Sequence, residues 1–218
     1  MAEKGINWHE LSPQEVIKIL ESDEEKGLNE EEARQRLEKY GRNALPPAKK
    51  KTILTMFLEQ FKDFLVLILV GAALVSSLLG ETTDSLVIIA ILILNAILGV
   101  VQESRANQAL EALKKMTVPE CEVIREGKPR KISSEEIVPG DIVILREGDF
   151  IPADLRLIEI HALKIDESSL TGESVPVEKD ISSLPADAPI TDRLNMVYSG
   201  TLVTYGRGKG IVVATGMD

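Results

Sequence analysis

Two apolar runs without a single charge constrain this chain more than any other feature. Phe64 to Leu79 reads FLVLILVGAALVSSLL and Ser85 to Val101 reads SLVIIAILILNAILGVV, with only Gly80 to Asp84 between them. Such a pair rarely fits one small soluble domain, so the expectation is two membrane spans. Sixteen residues rise about 24 Å against a hydrocarbon layer of roughly 30 Å. The first span is therefore expected to borrow Phe57 to Phe61, giving spans of about 57–79 and 85–102. Glu59, Lys62 and Asp63 would then lie near the interface, with Lys62 snorkelling outward. The connecting loop carries no Lys or Arg, whereas Lys49, Lys50 and Lys51 precede the pair and Arg105, Lys114 and Lys115 follow it. That bias expects both ends in the cytosol. Asn95, the amide inside the second run, reads as a hydrogen-bonding group toward a neighbouring helix rather than an ion ligand.

The flanks have a different texture. Residues 1–56 are expected to be a polar helical region with two starts. Ser12-Pro13-Gln14-Glu15 combines a cap, a proline at the first helical position and a reciprocating glutamate, and Asn29-Glu30-Glu31-Glu32 repeats the logic. Val16, Ile17 and Leu20 supply one apolar stripe, Ala33 and Leu37 the other, and Gly41 fits the second helix end. No apolar core of signal-peptide length occurs in the first fifty residues. Residues 57–103 hold the spans, and residues 104–118 read as a stalk continuing the second one, with Ala106, Ala109, Leu110 and Leu113 at helical spacing. From 119 to 218 the pattern changes to short β-rich runs, CEVI, DIVIL, LRLIEI, MVYSGTLVTY and GIVVAT, punctuated by turns at Glu126-Gly127 and Glu147-Gly148-Asp149. A β-rich domain is expected there.

Composition narrows the partners. A net charge of -10, from 35 acidic and 25 basic residues, repels phosphate backbones, and no basic run is interleaved with aromatics, so nucleic acid is excluded as a partner. The lone Cys121 cannot form an intrachain disulfide and reads as a packing thiol. His9 and His161 each lack a second ligand at metal spacing, so no metal site is expected.

The stretch that carries chemistry is Asp166-Glu167-Ser168-Ser169-Leu170-Thr171-Gly172-Glu173-Ser174. It offers a carboxylate on a glycine-permissive turn flanked by hydroxyls, suited to approaching a phosphate and orienting a water beside it. Taken alone, a T-G-E-S tetrapeptide is more simply a solvated turn. Its companions change the reading: Pro139-Gly140-Asp141, Gly148-Asp149, Ile151-Pro152-Ala153-Asp154, Ser199-Gly200-Thr201, Gly208 with Gly210, and Thr215-Gly216 follow in order. With these motifs the chain resembles the P-type cation-transporting ATPases along nearly its whole length, most closely the type II calcium pumps.

The resemblance implies an α+β membrane protein fragment: amino-terminal helices, a two-helix transmembrane hairpin, and an actuator domain that is a distorted β jelly roll. It also implies a mechanism in which an aspartyl phosphate, formed elsewhere in the pump, is hydrolysed when the actuator swings its T-G-E-S loop against it. Glu173 matches the water-positioning glutamate, with Thr171 and Ser174 around the phosphate and Gly172 permitting close approach. Gly140, Gly148, Gly200 and Gly208 are expected in tight turns, with Pro139 and Pro152 fixing chain direction. No D-K-T-G-T motif or nucleotide-binding domain is present, so an amino-terminal fragment without catalysis of its own is expected. ATP and Mg2+ would serve the parent pump, with no cofactor in this part. Its partners would be the lipid bilayer, the phosphorylation and nucleotide-binding domains, and a transported cation, with calcium favoured. The implied location is a multi-pass membrane protein, in the plasma membrane of a prokaryote. Alternatives are a sodium/potassium or proton pump, a membrane-tethered regulatory module without catalysis, and a hydrolase pairing Glu173 with Asp166 or Asp154.

Overall fold

The computed structural model describes residues 6–44, 52–116 and 119–216, with backbone only for 111–116. The expected basic flank Lys49 to Lys51 lies outside them. The chain divides into two units, one built from the first and third of these stretches and the other from the second.

In the first unit the sequence caps work as read. Ser12 Oγ accepts from the Glu15 amide, while the Glu15 carboxylate accepts from the Ser12 amide at 2.8 Å, opening α1 (Pro13–Ile19). Asn29 and Glu32 reciprocate in the same way at 2.8 and 3.0 Å to open α2 (Glu30–Tyr40), which ends at Gly41. These boxes satisfy amides that a helix start leaves unpaired. A 3-10 turn at Trp8–Glu10 precedes them.

The rest of this unit is an antiparallel sheet of β1 (Glu120–Arg125), β2 (Lys128–Ser133), β3 (Ile142–Arg146), β4 (Asp154–Asp166), β5 (Val177–Glu178), β6 (Met196–Val197) and β7 (Leu202–Ala214). The strand order is β2-β1-β3-β7-β4-β5, with β6 added beside β4. This is the β-rich domain the sequence led one to expect. Period-two alternation sorts its apolar residues onto two faces. Cys121, Val123, Val143, Leu145, Leu155, Leu157 and Val212 join one buried cluster. Their neighbours Ile124, Ile142, Ile158, Ile211 and Val213 point the other way and are covered by Val16, which is fully buried, with Trp8, Leu11, Ile17 and Leu20 around it. The amino-terminal helices are thus the second layer of this unit. Arg156 rivets that layer down: it is fully buried and donates to the carbonyls of Leu157 at 2.7 Å, Leu11 at 2.8 Å and Ile181 at 2.9 Å.

The sequence segments the sheet differently from the fold. LVTY and GIVVA belong to one strand, β7, and β4 extends beyond LRLIEI through Asp166. Their pairing shifts register at several points, including His161/Lys164. Such bulges bend long strands, and Leu163 and Ile165 beyond the shift rejoin the cluster that holds Leu155 and Leu157. Gly140, Gly148 and Gly200 sit in turns, as expected, but Gly208 lies inside β7, where a Cβ would stand 2.7 Å from the Glu159 carbonyl oxygen. Its smallness serves close strand packing rather than a turn.

The second unit contains α3 (Ile53–Gln60), α4 (Phe64–Leu78) and α5 (Thr82–Met116). Here two expectations are corrected. Phe57 to Phe61 does not lengthen the first apolar run as a straight helix: α3 and α4 meet at a 70° bend, and the Asp63 side chain starts α4 afresh by accepting from the Leu65 amide at 2.9 Å. A side chain that caps a new helix competes with continuation of the old one. The expected boundary after residue 56 consequently falls inside α3. Asn95 is exposed on α5. The expected stalk, by contrast, is continuous with the second apolar run, since α5 passes residues 103–104 without a break.

α4 packs beside α5, with Ser85 Oγ donating to the Ala73 carbonyl at 3.0 Å, and Val66, Ala73, Leu92 and Ala96 are buried. By length and composition Thr82–Leu110 is long and apolar enough to cross a membrane, with mean hydropathy 2.5 and 17% of its apolar window buried; α3 and α4 reach that standard only as a bent pair.

Candidate functional site

The loop singled out in the sequence emerges where β4 ends. Ile165 is the last fully buried residue of the strand, and Asp166 turns the chain by accepting from the Ser168 amide at 2.9 Å. That hydroxyl and amide contact from Ser168 holds the Asp166 carboxyl below its ordinary range. Ser168–Thr171 then makes a single helical turn, α6, whose amides fold back onto one oxygen: the Glu167 carbonyl accepts from Leu170 N at 2.8 Å and Thr171 N at 3.0 Å. Gly172 closes the turn with φ +77, a left-handed backbone that L side chains resist.

Thr171, Gly172, Glu173 and Ser174 are contiguous, yet they do different work. The Thr171 hydroxyl faces inward, donating to the Glu167 carbonyl at 3.2 Å and accepting from the Glu173 amide at 3.1 Å. It shapes the loop. Gly172, Glu173 and Ser174 are exposed, and so are Val175 and Pro176 beyond them. Apart from its chain neighbours, no atom of the described residues comes within 4 Å of where a Gly172 Cβ would be, so among them the glycine is required by its φ and not by crowding. Glu173 therefore projects from a hydrogen-bonded turn onto an open surface, as a carboxylate must if it acts on a group brought from outside.

Of the two carboxylates considered as partners for Glu173, Asp154 stands at the far end of the strand that leads into the loop. Asp154 opens β4 and Asp166 closes it, and twelve steps of extended chain put them on the order of 40 Å apart before bending. Asp154 has its own local duty, accepting from the Ser199 amide at 3.0 Å, and burial raises its pKa.

The residues that sequence reasoning missed lie beneath the loop. Glu167 and Lys179 leave it on either side and meet in the interior, Nζ to Oε1 at 2.5 Å, with side chains 3% and 1% exposed. Burial pushes the Lys179 ammonium down and the bond from Glu167 opposes that shift. Nothing in the spacing marks these two positions, because a Glu inside a polar loop and a Lys after a short strand both read as surface residues. Elsewhere in this unit Arg125 and Asp141 form a second buried pair, bidentate at 2.9 and 2.7 Å. Among the described residues no three His, Cys, Asp or Glu side chains gather as a metal site.

Comparison with known proteins agrees with this architecture. The family model for the P-type ATPase actuator domain matches residues 115–218, and that for the cation transporter/ATPase N-terminus matches residues 8–76. The chain is 48% identical over 217 residues to calcium-transporting ATPase 1 of Bacillus cereus, covering 97% of this chain and 24% of that protein. It is 50% identical over 194 residues to a calcium-transporting ATPase of Listeria monocytogenes, covering 89% and 22%. Against the probable cation-transporting ATPase F of Mycobacterium tuberculosis the figures are 47% over 210 residues, 96% and 23%. The chain thus spans about a quarter of the length of the curated relatives it matches. With two family models matched across most of its length and relatives at 47–50% identity, the chain belongs to the P-type cation-transporting ATPases, as an amino-terminal part that carries the actuator domain.

Proposed function

We propose that this chain forms part of an ATP-driven calcium pump, in which its actuator domain promotes hydrolysis of an aspartyl phosphate and couples that step to movement of membrane helices. The observation that carries the reading is the exposure of Glu173 on a turn that the Glu167 carbonyl and the Thr171 hydroxyl hold from below. A carboxylate so placed can accept a hydrogen bond from a water and take its proton as the water oxygen attacks phosphorus. The P–O bond to the aspartate then breaks, the aspartate leaves as a free carboxylate and inorganic phosphate is released. The phosphorylated aspartate, ATP and Mg2+ belong to other parts of the pump, and the role of this chain is to bring Glu173 to them.

The apolar segments fit the other half of the role. Thr82–Leu110 and the bent pair of α3 and α4 would form a transmembrane hairpin, with both ends on the cytosolic side of a prokaryotic plasma membrane, as the Lys and Arg distribution favours. α5 continues beyond the apolar segment and ends a few residues before β1, so actuator movement would be passed along it. Calcium as cargo is supported by the names of the Bacillus and Listeria relatives.

The test is Glu173→Gln in the full-length pump. Phosphoenzyme should form from ATP in a calcium-dependent manner and then break down at least about a hundredfold more slowly, since the amide keeps the shape and loses the proton acceptor. Unchanged breakdown would remove Glu173 from the chemistry, and phosphorylation indifferent to calcium would remove calcium as cargo.

A further inference from the structure

The loop that carries Glu173 rests on a charge pair for which the proposed hydrolysis has no direct use. Glu167 and Lys179 bracket the loop, twelve positions apart, and are buried while Ser168, Ser169, Leu170, Glu173, Ser174 and Val175 between them are exposed. From Lys179 the contacts run through Glu167 and Thr171 to the backbone amide of Glu173. Lys179 Nζ donates to the Glu167 carboxylate at 2.5 Å, the Glu167 carbonyl accepts from the Thr171 amide and hydroxyl at 3.0 and 3.2 Å, and the Thr171 hydroxyl accepts from the Glu173 amide at 3.1 Å. Within the loop the Asp166 carboxylate also accepts from the Ser168 amide and the Ser168 carbonyl accepts from the Gly172 amide, both at 2.9 Å, while pairing at its base is short. The returning strand pairs with β4 only at Lys164↔Glu178 and Ile165↔Val177, and the Lys179 amide adds one bond to the Leu163 carbonyl at 3.0 Å.

Stability alone does not account for such a pair. Two buried charges forfeit so much hydration that well-packed apolar residues of similar volume often serve as well or better. What an ion pair offers and an apolar pair does not is direction: a short, charge-assisted bond fixes both chains relative to each other. The burial that lowers the Lys179 pKa marks how little solvent reaches this bond.

We propose that Glu167 and Lys179 are positioning residues for the dephosphorylation step, setting the height and aim of the loop so that Glu173 meets the aspartyl phosphate, while touching no reacting atom themselves. This rests on the reading of Glu173 given above. The experiment compares Glu167→Gln, Lys179→Met and the double variant Glu167→Leu/Lys179→Met in the full-length pump. Each is phosphorylated with labelled ATP, chased, and followed through phosphoenzyme formation and breakdown, with resistance to trypsin as the measure of folding. The single variants leave one buried group unpaired and can lose stability for that reason. The double variant leaves none, and it decides.

In the double variant, trypsin resistance and phosphoenzyme formation should stay near the wild-type level while breakdown slows about tenfold or more, the scale on which a displaced catalytic group fails. A purely structural pair would give the opposite result, because apolar replacement restores packing and wild-type breakdown together, and that outcome overturns the proposal. Glu173→Gln measured alongside separates the two claims: slow breakdown there with normal breakdown in the double variant rejects the positioning role alone, and normal breakdown in Glu173→Gln rejects the reading beneath it.

Discussion

Asn43 Oδ1 accepts a hydrogen bond from the Gly216 amide at 2.8 Å, joining positions 173 apart in the chain. The same side chain donates to the carbonyls of Ser134 at 2.9 Å and Pro152 at 2.8 Å, and the Asn43 amide donates to the Glu135 carbonyl at 3.0 Å. One amide thus pins the end of the amino-terminal layer to three separate segments of the β domain. Replacing it with Ala strands these main-chain groups, and Asn43→Ala should cost about 1–2 kcal/mol. Hydrogen exchange is the direct measurement, with the Gly216 amide expected to lose its protection.

Arg125 and Asp141 form a bidentate pair, with the Asp141 side chain wholly buried and also accepting from the Val138 amide at 2.9 Å. Removing one partner leaves a buried charge, so Asp141→Ala should destabilise the β unit by about 3–5 kcal/mol. The exposed Glu30, 4.0 Å from the same guanidinium, should matter far less, with Glu30→Ala costing at most about 1 kcal/mol. Urea unfolding followed through Trp8, the single tryptophan, which packs on the sheet, measures both.

Cys121 is buried, and desolvation, with Asp141 adding to it, pushes its thiol up to about 12 from an ordinary 9.0. The folded chain should therefore resist iodoacetamide at pH 8 and react once unfolded. A raised pKa means that the folded state keeps its proton where the unfolded state has lost it. The contribution of this group to stability is then whole below pH 9 and disappears as pH climbs toward 12. Cys121→Val should flatten that part of the stability profile.

Two glycines should respond to a methyl group for different reasons and in different places. At Gly208 a Cβ would meet the Glu159 carbonyl oxygen at 2.7 Å, whereas at Gly172 it would meet nothing within 4 Å. Gly208→Ala should lower the thermal midpoint of the β unit. Gly172→Ala should leave the fold intact and carry only the strain of a left-handed backbone, about 1–2 kcal/mol, confined to the loop. In the full-length pump the latter should slow phosphoenzyme breakdown without changing its formation, and Gly172→Asn, which tolerates this backbone better, should be milder.

Much of the local structure was legible because its causes are local. The boxes at Ser12 and Asn29 are written within four consecutive residues, and the alternation in CEVI and DIVIL follows from the strand repeat. The loop from Asp166 to Ser174 was legible as a polar, exposed turn with Glu173 on it. Strand continuity was not. His161, Ala162 and Lys164 interrupt the apolar pattern of β4 because the register shifts there, and a bulge is decided by the partner strand. The 70° break before α4 was not legible either, since Asp63 reads equally well as an interfacial charge or as a cap.

The chain by itself determined where helices begin, which segments are long and apolar, and that Glu173 stands on a surface turn. These depend on hydrogen bonds and hydration within a few residues of each other. Only the tertiary structure decided that Glu167 and Lys179 share one buried bond, that Arg156 reaches Leu11 and that Asn43 holds Gly216. A polar side chain can be buried only where distant segments supply its partner, and no stretch of neighbouring residues records which distant segments will meet.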